Sequence, residues 1–307
     1  ILSPTWSYPR EGSSRLALDP QRDMPWHDLQ ASIGTARQAG LNVSLFPQLS
    51  FPTTPAAYWS QAPGDYPWWV AWFDRYRAFM IHHARLAAAA DAGMLVLGGG
   101  DLLPAIPLPT PTDASRSNPP PDAVTWWNDL FAEVRSVYPG AIAWALPFPQ
   151  GLGRLPPFID QVDIVYVEWS AGLTSDLAIS EPDLLSQTGA TLDGGLIPFM
   201  LDHQKPVVLA LGYASAQGAL AGCIRVQENQ CLDPHQLERP NPDLPPVALS
   251  LDEQTRAYNT FLQLINERPW IGGIVTTGFY PPAMLQDKSA SVYGKPAAGA
   301  LWYWFGE

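Results

Sequence analysis

Two acidic residues stand where predicted strands end. Asp101 follows the apolar run MLVLGGG at 94–100, and Glu168 comes near the end of the run DIVYVEW at 163–169. They are the only acids that fall at the carboxyl ends of the predicted strands. Two carboxyl groups at one edge of a sheet can act as general acid and general base on a bound substrate. Asp101 and Glu168 are therefore the candidate catalytic residues.

Aromatic residues dominate the other predicted strand ends. Aromatic faces stack on the C–H-rich faces of sugar rings, while amides and carboxylates hold hydroxyl groups. The sequence thus predicts a carbohydrate-binding cleft with the candidate binding residues Trp6, Tyr8, Gln48, Trp144, Trp169, Tyr213 and Tyr280. The alternative is that these side chains, in a chain with 13 tryptophans, are anchors of the core and the loops.

Short apolar runs alternate with helical patterns along the chain of 307 residues. The predicted strands are 1–8, 41–47, 94–98, 141–147, 163–169, 206–212 and 271–278. The predicted helices are 26–39, 68–91, 122–138, 191–204, 251–267 and 295–305. Strands that are apolar on both faces, each followed by a helix, indicate a parallel sheet covered on both sides.

This repeated βα pattern favours an α/β fold of the TIM (β/α)8-barrel class over an open doubly wound sheet. A doubly wound nucleotide-binding sheet carries the motif GxGxxG after its first strand, and the segment PTWSYPREGSS at 4–14 lacks it. We expect a single barrel domain over residues 1–307, in which seven strands are visible. The first βα unit is expected to lie upstream of Ile1 or to be missing, within a longer polypeptide.

The charge and the motifs exclude several classes of partner. The 17 basic and 29 acidic residues give a formal net charge of −12 without a basic cluster, so nucleic acid is not an expected partner. No apolar run approaches the roughly 18 residues of a membrane span, so no membrane insertion is expected. The glycines at 98–100 precede no Lys-Ser/Thr pair, which argues against a phosphate cradle. We expect no cofactor and no metal.

The two cysteines, Cys223 and Cys231, lie close together in the polar segment AGCIRVQENQCLDP. Paired cysteines in a loop without other metal ligands are typical of a disulfide-closed hairpin in an oxidising compartment. The alternative is two free thiols in a cytosolic protein. The disulfide interpretation predicts an extracellular or cell-surface protein.

Three segments resemble a known family. GLNVSLFPQLSFP at 40–52, GLIPFMLDHQKPVVLALGYAS at 195–215 and the passage from WIGGIVTTGFYPP to DKSASVYGKPAAGALWYWF at 270–305 resemble (β/α)8-barrel glycoside hydrolases. Within that superfamily the pattern is similar to glycoside hydrolase family 113, which includes endo-mannanases. The resemblance implies a barrel that acts on a polysaccharide or glycan at the carboxyl ends of its strands.

The resemblance also implies where two catalytic glutamates should stand. In that superfamily an acid/base glutamate closes the fourth strand and a nucleophilic glutamate closes the seventh. If the first strand is missing here, the matching positions hold glycine or Asp101 in the fourth strand, and Ala210 or Leu211 in the seventh. The nucleophile of a retaining enzyme, which needs two carboxyl groups about 5–5.5 Å apart, is therefore absent.

Two functions stay open. Asp101 and Glu168 could support an inverting hydrolysis, in which the carboxyl groups lie roughly 6.5–9.5 Å apart. Strand alternation puts Glu168 in phase with Ile164 and Tyr166, so these three side chains are expected on one face. The alternative is a catalytically silent barrel, either a carbohydrate-binding or a structural module of a cell-surface protein, with possible neighbouring domains in the same polypeptide.

Overall fold

The computed structural model describes residues 1–107, 119–153, 155–227, 230–232, 234–241, 244 and 246–306. The chain divides into two compact units. The first unit comprises residues 1–146 and 153–165, and the second comprises residues 147–152 and 166–307. None of the described helices is long and apolar enough to cross a membrane.

The first unit alternates strands with helices. In chain order its elements are β1 (Thr5–Ser7), α1 (Trp26–Gln38), β2 (Ser44–Leu45), β3 (Gln48–Ser50), α2 (Pro55–Gln61), α3 (Tyr66–Ala89), β4 (Met94–Gly98), a 3-10 helix (Gly100–Ala105), α4 (Ala123–Val137) and β5 (Ala141–Pro147). Strand β1 pairs with β3, β2 with β4, and β4 with β5, and each of these pairs is parallel. The predicted parallel arrangement is therefore present in this unit.

The long helix α3 is amphipathic, as its sequence predicts. Asp65 precedes the helix, and its side chain accepts a hydrogen bond from a backbone N–H of the first turn. Phe73, Tyr76, Met80 and His83 recur at spacings of three and four residues and are all buried. The spacing therefore identified the face that α3 turns to the core.

The second unit continues the alternation. Its elements are β6 (Ile164–Trp169), α5 (Glu181–His203), β7 (Val207–Leu211), β8 (Arg225–Gln227), β9 (Gln230–Cys231), a 3-10 helix (Pro234–Leu237), α6 (Leu251–Asn266), β10 (Ile271–Thr276) and α7 (Pro296–Phe305). Strand β7 pairs in parallel with β10. Helix α5 begins ten residues earlier than its predicted start, because Ser180 caps it and Pro182 stands in its first turn.

The two cysteines form the predicted disulfide. Cys223 and Cys231 are bonded, and strands β8 and β9 pair antiparallel between them as a short hairpin. The prediction of a disulfide-closed hairpin is confirmed.

Gly98 ends β4 in a conformation that only glycine adopts easily. Its φ is +90°, and a Cβ atom there would lie 2.7 Å from Cε2 of Trp144.

We expect Gly98→Ala to lower the free energy of unfolding by about 3 kcal/mol through backbone strain and overlap with the indole. Urea unfolding measures this change. The control is Gly34→Ala inside α1, where a Cβ meets nothing within 4 Å and where alanine should stabilise the helix by about 1 kcal/mol. Equal effects of the two variants would contradict this account of Gly98.

Candidate functional site

Backbone hydrogen bonds hold three strand ends of the second unit side by side. The amide of Gly212, just after β7, donates to the carbonyl of Trp169 at the end of β6 over 3.0 Å. The amide of Thr277, just after β10, donates to the carbonyl of Leu211 over 2.9 Å. The residues that close β6, β7 and β10 therefore share one edge, which is where parallel α/β proteins build their sites.

Glu168 is the acidic residue of this edge. Its side chain is half-buried, whereas Val165, Val167 and Trp169 of the same strand are buried. Tyr166 lies two residues earlier, and burial raises its pKa, with a smaller contribution from the Glu168 carboxylate. Because successive side chains of a strand point to opposite faces, Glu168 and Tyr166, two residues apart in β6, share one face.

Strand β7 ends without an acidic side chain. Its five residues, VVLAL at 207–211, are all apolar, and both Ala210 and Leu211 are buried. The hydroxyl of Tyr258 on α6 donates to the carbonyl of Leu211 over 3.0 Å, which fixes the end of the strand. The position at which the family resemblance expects a nucleophilic glutamate therefore holds buried hydrocarbon.

The loop that follows β7 is fixed by buried polar groups. The carboxylate of Glu253 accepts hydrogen bonds from the amides of Gly218 and Leu220, each over 3.0 Å. The amide group of Gln254 donates to the carbonyl of Tyr213 over 2.8 Å, and the Tyr213 hydroxyl donates to the carbonyl of Ala171 over 2.7 Å. Because these groups are paired inside the protein, they fix the first part of the loop, residues 213–220.

The aromatic residues of this edge differ in exposure. Trp169 is buried and stacks on Phe148, with ring centroids 3.6 Å apart. Tyr213 is also buried. In contrast, Phe279, the third residue after β10, is 64 % exposed, and its ring meets Tyr293 edge-on with centroids 4.8 Å apart. At this edge of the sheet, the exposed aromatic ring is thus that of Phe279, in the loop after β10.

We call Phe279, Tyr280 and Tyr293 the β10 aromatic loop. Tyr280 is half-buried, and its amide donates to the hydroxyl of Ser291 over 3.1 Å. Of these three residues, only Tyr280 belongs to the set predicted from the sequence. Phe279 directly follows the predicted strand 271–278, so its position was a usable signal. Tyr293 is distant in sequence and is brought to the others by the intervening loop.

The remaining predicted residues lie in the first unit. Asp101 lies in the 3-10 helix after β4, and its carbonyl accepts a hydrogen bond from the indole N–H of Trp59 over 2.7 Å. Trp144 is buried in β5, with its ring centroid 5.6 Å from that of Trp127. Asp101 therefore belongs to the first unit and Glu168 to the second.

Three further predicted residues come from β1 and its surroundings. Trp6 is half-buried and packs against Phe79 of α3, with ring centroids 5.5 Å apart. Tyr8 is buried against Tyr58, with centroids 4.3 Å apart, and Gln48 is half-buried in β3. The role of these residues in binding a ligand stays a prediction.

Comparison with known proteins identifies relatives of this fold. The family model described as Glycoside Hydrolase Family 113 matches residues 1–175. A solved GH113 beta-1,4-mannanase superposes with a TM-score of 0.70 at 19 % identity, over 99 % of this chain and 86 % of that chain. The GH113 beta-mannanase of Alicyclobacillus acidocaldarius, solved in complex with ManMIm, gives 0.69 at 18 % identity, over 98 % of this chain and 85 % of that chain.

A more distant likeness is to the beta-glucuronidase of Ruminococcus gnavus, with a TM-score of 0.52 at 9 % identity, over 90 % of this chain and 42 % of that chain. No curated protein sequence matches the chain. The likeness to the two mannanases covers nearly the whole chain and confirms the predicted (β/α)8-barrel fold class.

Proposed function

Because the chain belongs to glycoside hydrolase family 113, we propose that it is a carbohydrate-binding barrel that holds a β-1,4-linked mannan without cleaving it by double displacement. A glycoside hydrolase-like, carbohydrate-active barrel follows from the family itself. The ligand class follows the two similar structures, which are both mannanases of this family. Binding without retaining hydrolysis is the part that depends on this chain's own residues.

The apolar end of β7 carries the proposal. A retaining glycosidase forms a covalent intermediate with a carboxylate, which must stand close to the anomeric carbon. Here Ala210 and Leu211 occupy the end of the strand and are buried, and neither side chain can attack a sugar. An alanine or leucine side chain offers no lone pair for the displacement, so the first covalent step has no nucleophile at this strand.

The β10 aromatic loop supplies a surface on which a sugar can stack. Phe279 exposes most of its ring, and Tyr293 supports it from the side, so the ring is held in a defined orientation. Tyr280 adds a phenol, which can donate a hydrogen bond to a sugar hydroxyl or accept one from it. An aromatic face with a neighbouring hydroxyl complements a pyranose ring, because the C–H groups of the sugar stack on the aromatic face and its hydroxyl groups form hydrogen bonds.

We expect Phe279→Ala to weaken the binding of mannohexaose about tenfold, because the stacking face is removed. Isothermal titration calorimetry measures the change in Kd. Leu285→Ala is the matched control, since Leu285 lies in the same loop and is 99 % exposed but has no ring. The proposal fails if the unmodified protein does not bind mannohexaose, or if Phe279→Ala and Leu285→Ala bind it equally well.

The placement of Glu168 favours a second candidate function, an inverting hydrolysis. Glu168 is half-buried at the end of β6, beside the end of β7. An inverting reaction pairs one carboxylic acid with a carboxylate that activates water, and Glu168 could serve as either group. Release of products whose new reducing ends have the inverted configuration, abolished by Glu168→Gln, would select this function over binding alone.

We also propose that the protein works outside the cytoplasm, at the cell surface or beyond it. The bonded pair Cys223 and Cys231 supports this location, because such bonds persist in oxidising compartments. A polysaccharide ligand fits the same location.

A further inference from the structure

A second carbohydrate site is proposed from an open pocket of about 630 Å³ on the helical side of the first unit. We propose that this pocket, which we call the α3 pocket, binds a neutral oligosaccharide through Trp6, Trp26 and His82. All of its lining residues belong to the first unit, whereas the β10 aromatic loop belongs to the second. The inference therefore rests on different residues from the proposed function.

Three rings line the pocket. The imidazole of His82 on α3 lies between two indoles, with its centroid 5.2 Å from that of Trp6 and 5.0 Å from that of Trp26. All three side chains are half-buried, so each contributes part of its ring surface to the pocket. Burial also lowers the pKa of His82, which keeps the imidazole uncharged at neutral pH. The pocket thus offers an aromatic surface with a neutral hydrogen-bonding tip.

Charged side chains around the rings balance one another. Arg77 is paired with Glu133, so neither contributes an isolated charge. Asp74 and Arg85 are exposed at the same pocket, and neither side chain has a hydrogen bond or an ion pair with another part of the chain that the structure describes. One available carboxylate and one available guanidinium give an acceptor and several donors without a net charge.

This combination fits a neutral sugar better than a charged ligand. A polyanion would gain little net attraction from this pocket, because its two carboxylates offset its two guanidinium groups. An oligosaccharide of neutral hexoses can stack its C–H faces on the indoles, while Asp74 and Arg85 hold its hydroxyl groups. The volume of the pocket lies within the range of about 300–1,000 Å³ that is usual for small-ligand sites.

The test measures binding in the Phe279→Ala background, so that the β10 aromatic loop does not contribute. Mannohexaose and cellohexaose are titrated by calorimetry, with trigalacturonic acid as the charged comparison. We expect at least one neutral hexasaccharide to bind, and we expect Trp26→Ala to weaken that binding about tenfold. Trp302→Ala is the matched control, because Trp302 is 73 % exposed on α7 and lies outside the pocket; it should leave Kd unchanged.

Arg85→Ala provides a second variant that is safe for folding, because Arg85 is exposed and unpaired within the described residues. It should weaken the same binding several-fold, and circular dichroism checks that each variant is folded. The α3 pocket is overturned if neither hexasaccharide binds, if Trp26→Ala and Arg85→Ala leave Kd unchanged, or if trigalacturonic acid binds more tightly than both. If Trp26→Ala weakens binding while Phe279→Ala does not, the result supports binding at the α3 pocket and contradicts binding at the β10 aromatic loop.

Discussion

Replacing Lys295 with methionine should lower the free energy of unfolding by about 3–5 kcal/mol, because removing one partner of a buried ion pair leaves the other charge buried and unpaired. The ammonium group of Lys295 lies 3.1 Å from the carboxylate of Asp287, and both side chains are almost fully buried. It also donates to the hydroxyl of Ser215 and to the carbonyl of Ser289, each over 2.8 Å. Three donors therefore meet three acceptors, and the variant removes all three interactions.

The Lys295 network joins two loops of the candidate site. Ser215 lies in the loop after β7, and Asp287 and Ser289 lie in the loop after β10, the same loop that carries Phe279. The hydroxyl of Ser215 also donates to the Asp287 carbonyl over 2.7 Å. We therefore expect Lys295→Met to loosen the β10 aromatic loop as well as to destabilise the fold.

Urea unfolding at neutral pH measures the effect of Lys295→Met. Lys288→Met is the matched control, because Lys288 is in the same segment and, within the described residues, its ammonium group donates to the carbonyl of Leu244; the loss of this hydrogen bond should cost about 1 kcal/mol. The double variant Lys295→Met, Asp287→Asn should recover part of the lost stability, since it removes the uncompensated buried charge. A Lys295→Met protein as stable as the Lys288→Met protein would contradict the account of this network.

Acidification should destabilise the first unit through His83. The imidazole of His83 is buried in α3, where its Nδ1 lies 2.8 Å from the carbonyl of Phe79, and burial lowers its pKa from 6.5 to about 3. The unfolded chain therefore takes up a proton near pH 6.5, whereas the folded chain does not until about pH 3. The contribution of His83 to stability is present above pH 6.5 and is lost as the pH falls toward 3.

The expected loss attributable to His83 between pH 7 and pH 4.5 is about 2–3 kcal/mol, since each pKa unit corresponds to about 1.4 kcal/mol. His82 adds a smaller loss in the same direction, because burial lowers its pKa too. Urea unfolding at the two pH values measures the difference for the unmodified protein and for His83→Gln, which does not titrate. His27→Gln is the control, because the His27 side chain is 94 % exposed. If His83→Gln loses as much stability on acidification as His27→Gln, the buried neutral imidazole is not the cause.

The strands could be predicted from the sequence because each one is marked by a short run of apolar residues, which is a local pattern. The five apolar runs from 94–98 to 271–278 contain the observed strands β4, β5, β6, β7 and β10, and residues such as Leu95 and Val165 are buried as a doubly covered sheet requires. Helix α2 (Pro55–Gln61) was not predicted, because it is short and its start depends on the cap at Thr54.

The candidate site was harder to predict than the fold. The apolar pattern predicted that Trp144, Trp169 and Tyr213 lie at strand ends. The burial of their rings, however, depends on which face each strand turns to its neighbours and on packing partners such as Phe148. Conversely, the exposure of Phe279 depends on the path of the loop after β10. A side chain's face and a loop's path are set by tertiary packing, which a local pattern does not contain.

The central claim is that the protein holds a mannan without cleaving it by double displacement. Proton NMR of mannohexaose mixed with the protein at neutral pH tests this claim directly, because binding and cleavage are read from one spectrum. We predict broadened and shifted oligosaccharide resonances, with the reducing-end signals constant over days. Growth of new reducing-end signals that first show the retained β configuration would contradict the account, since that product requires the nucleophile that β7 lacks.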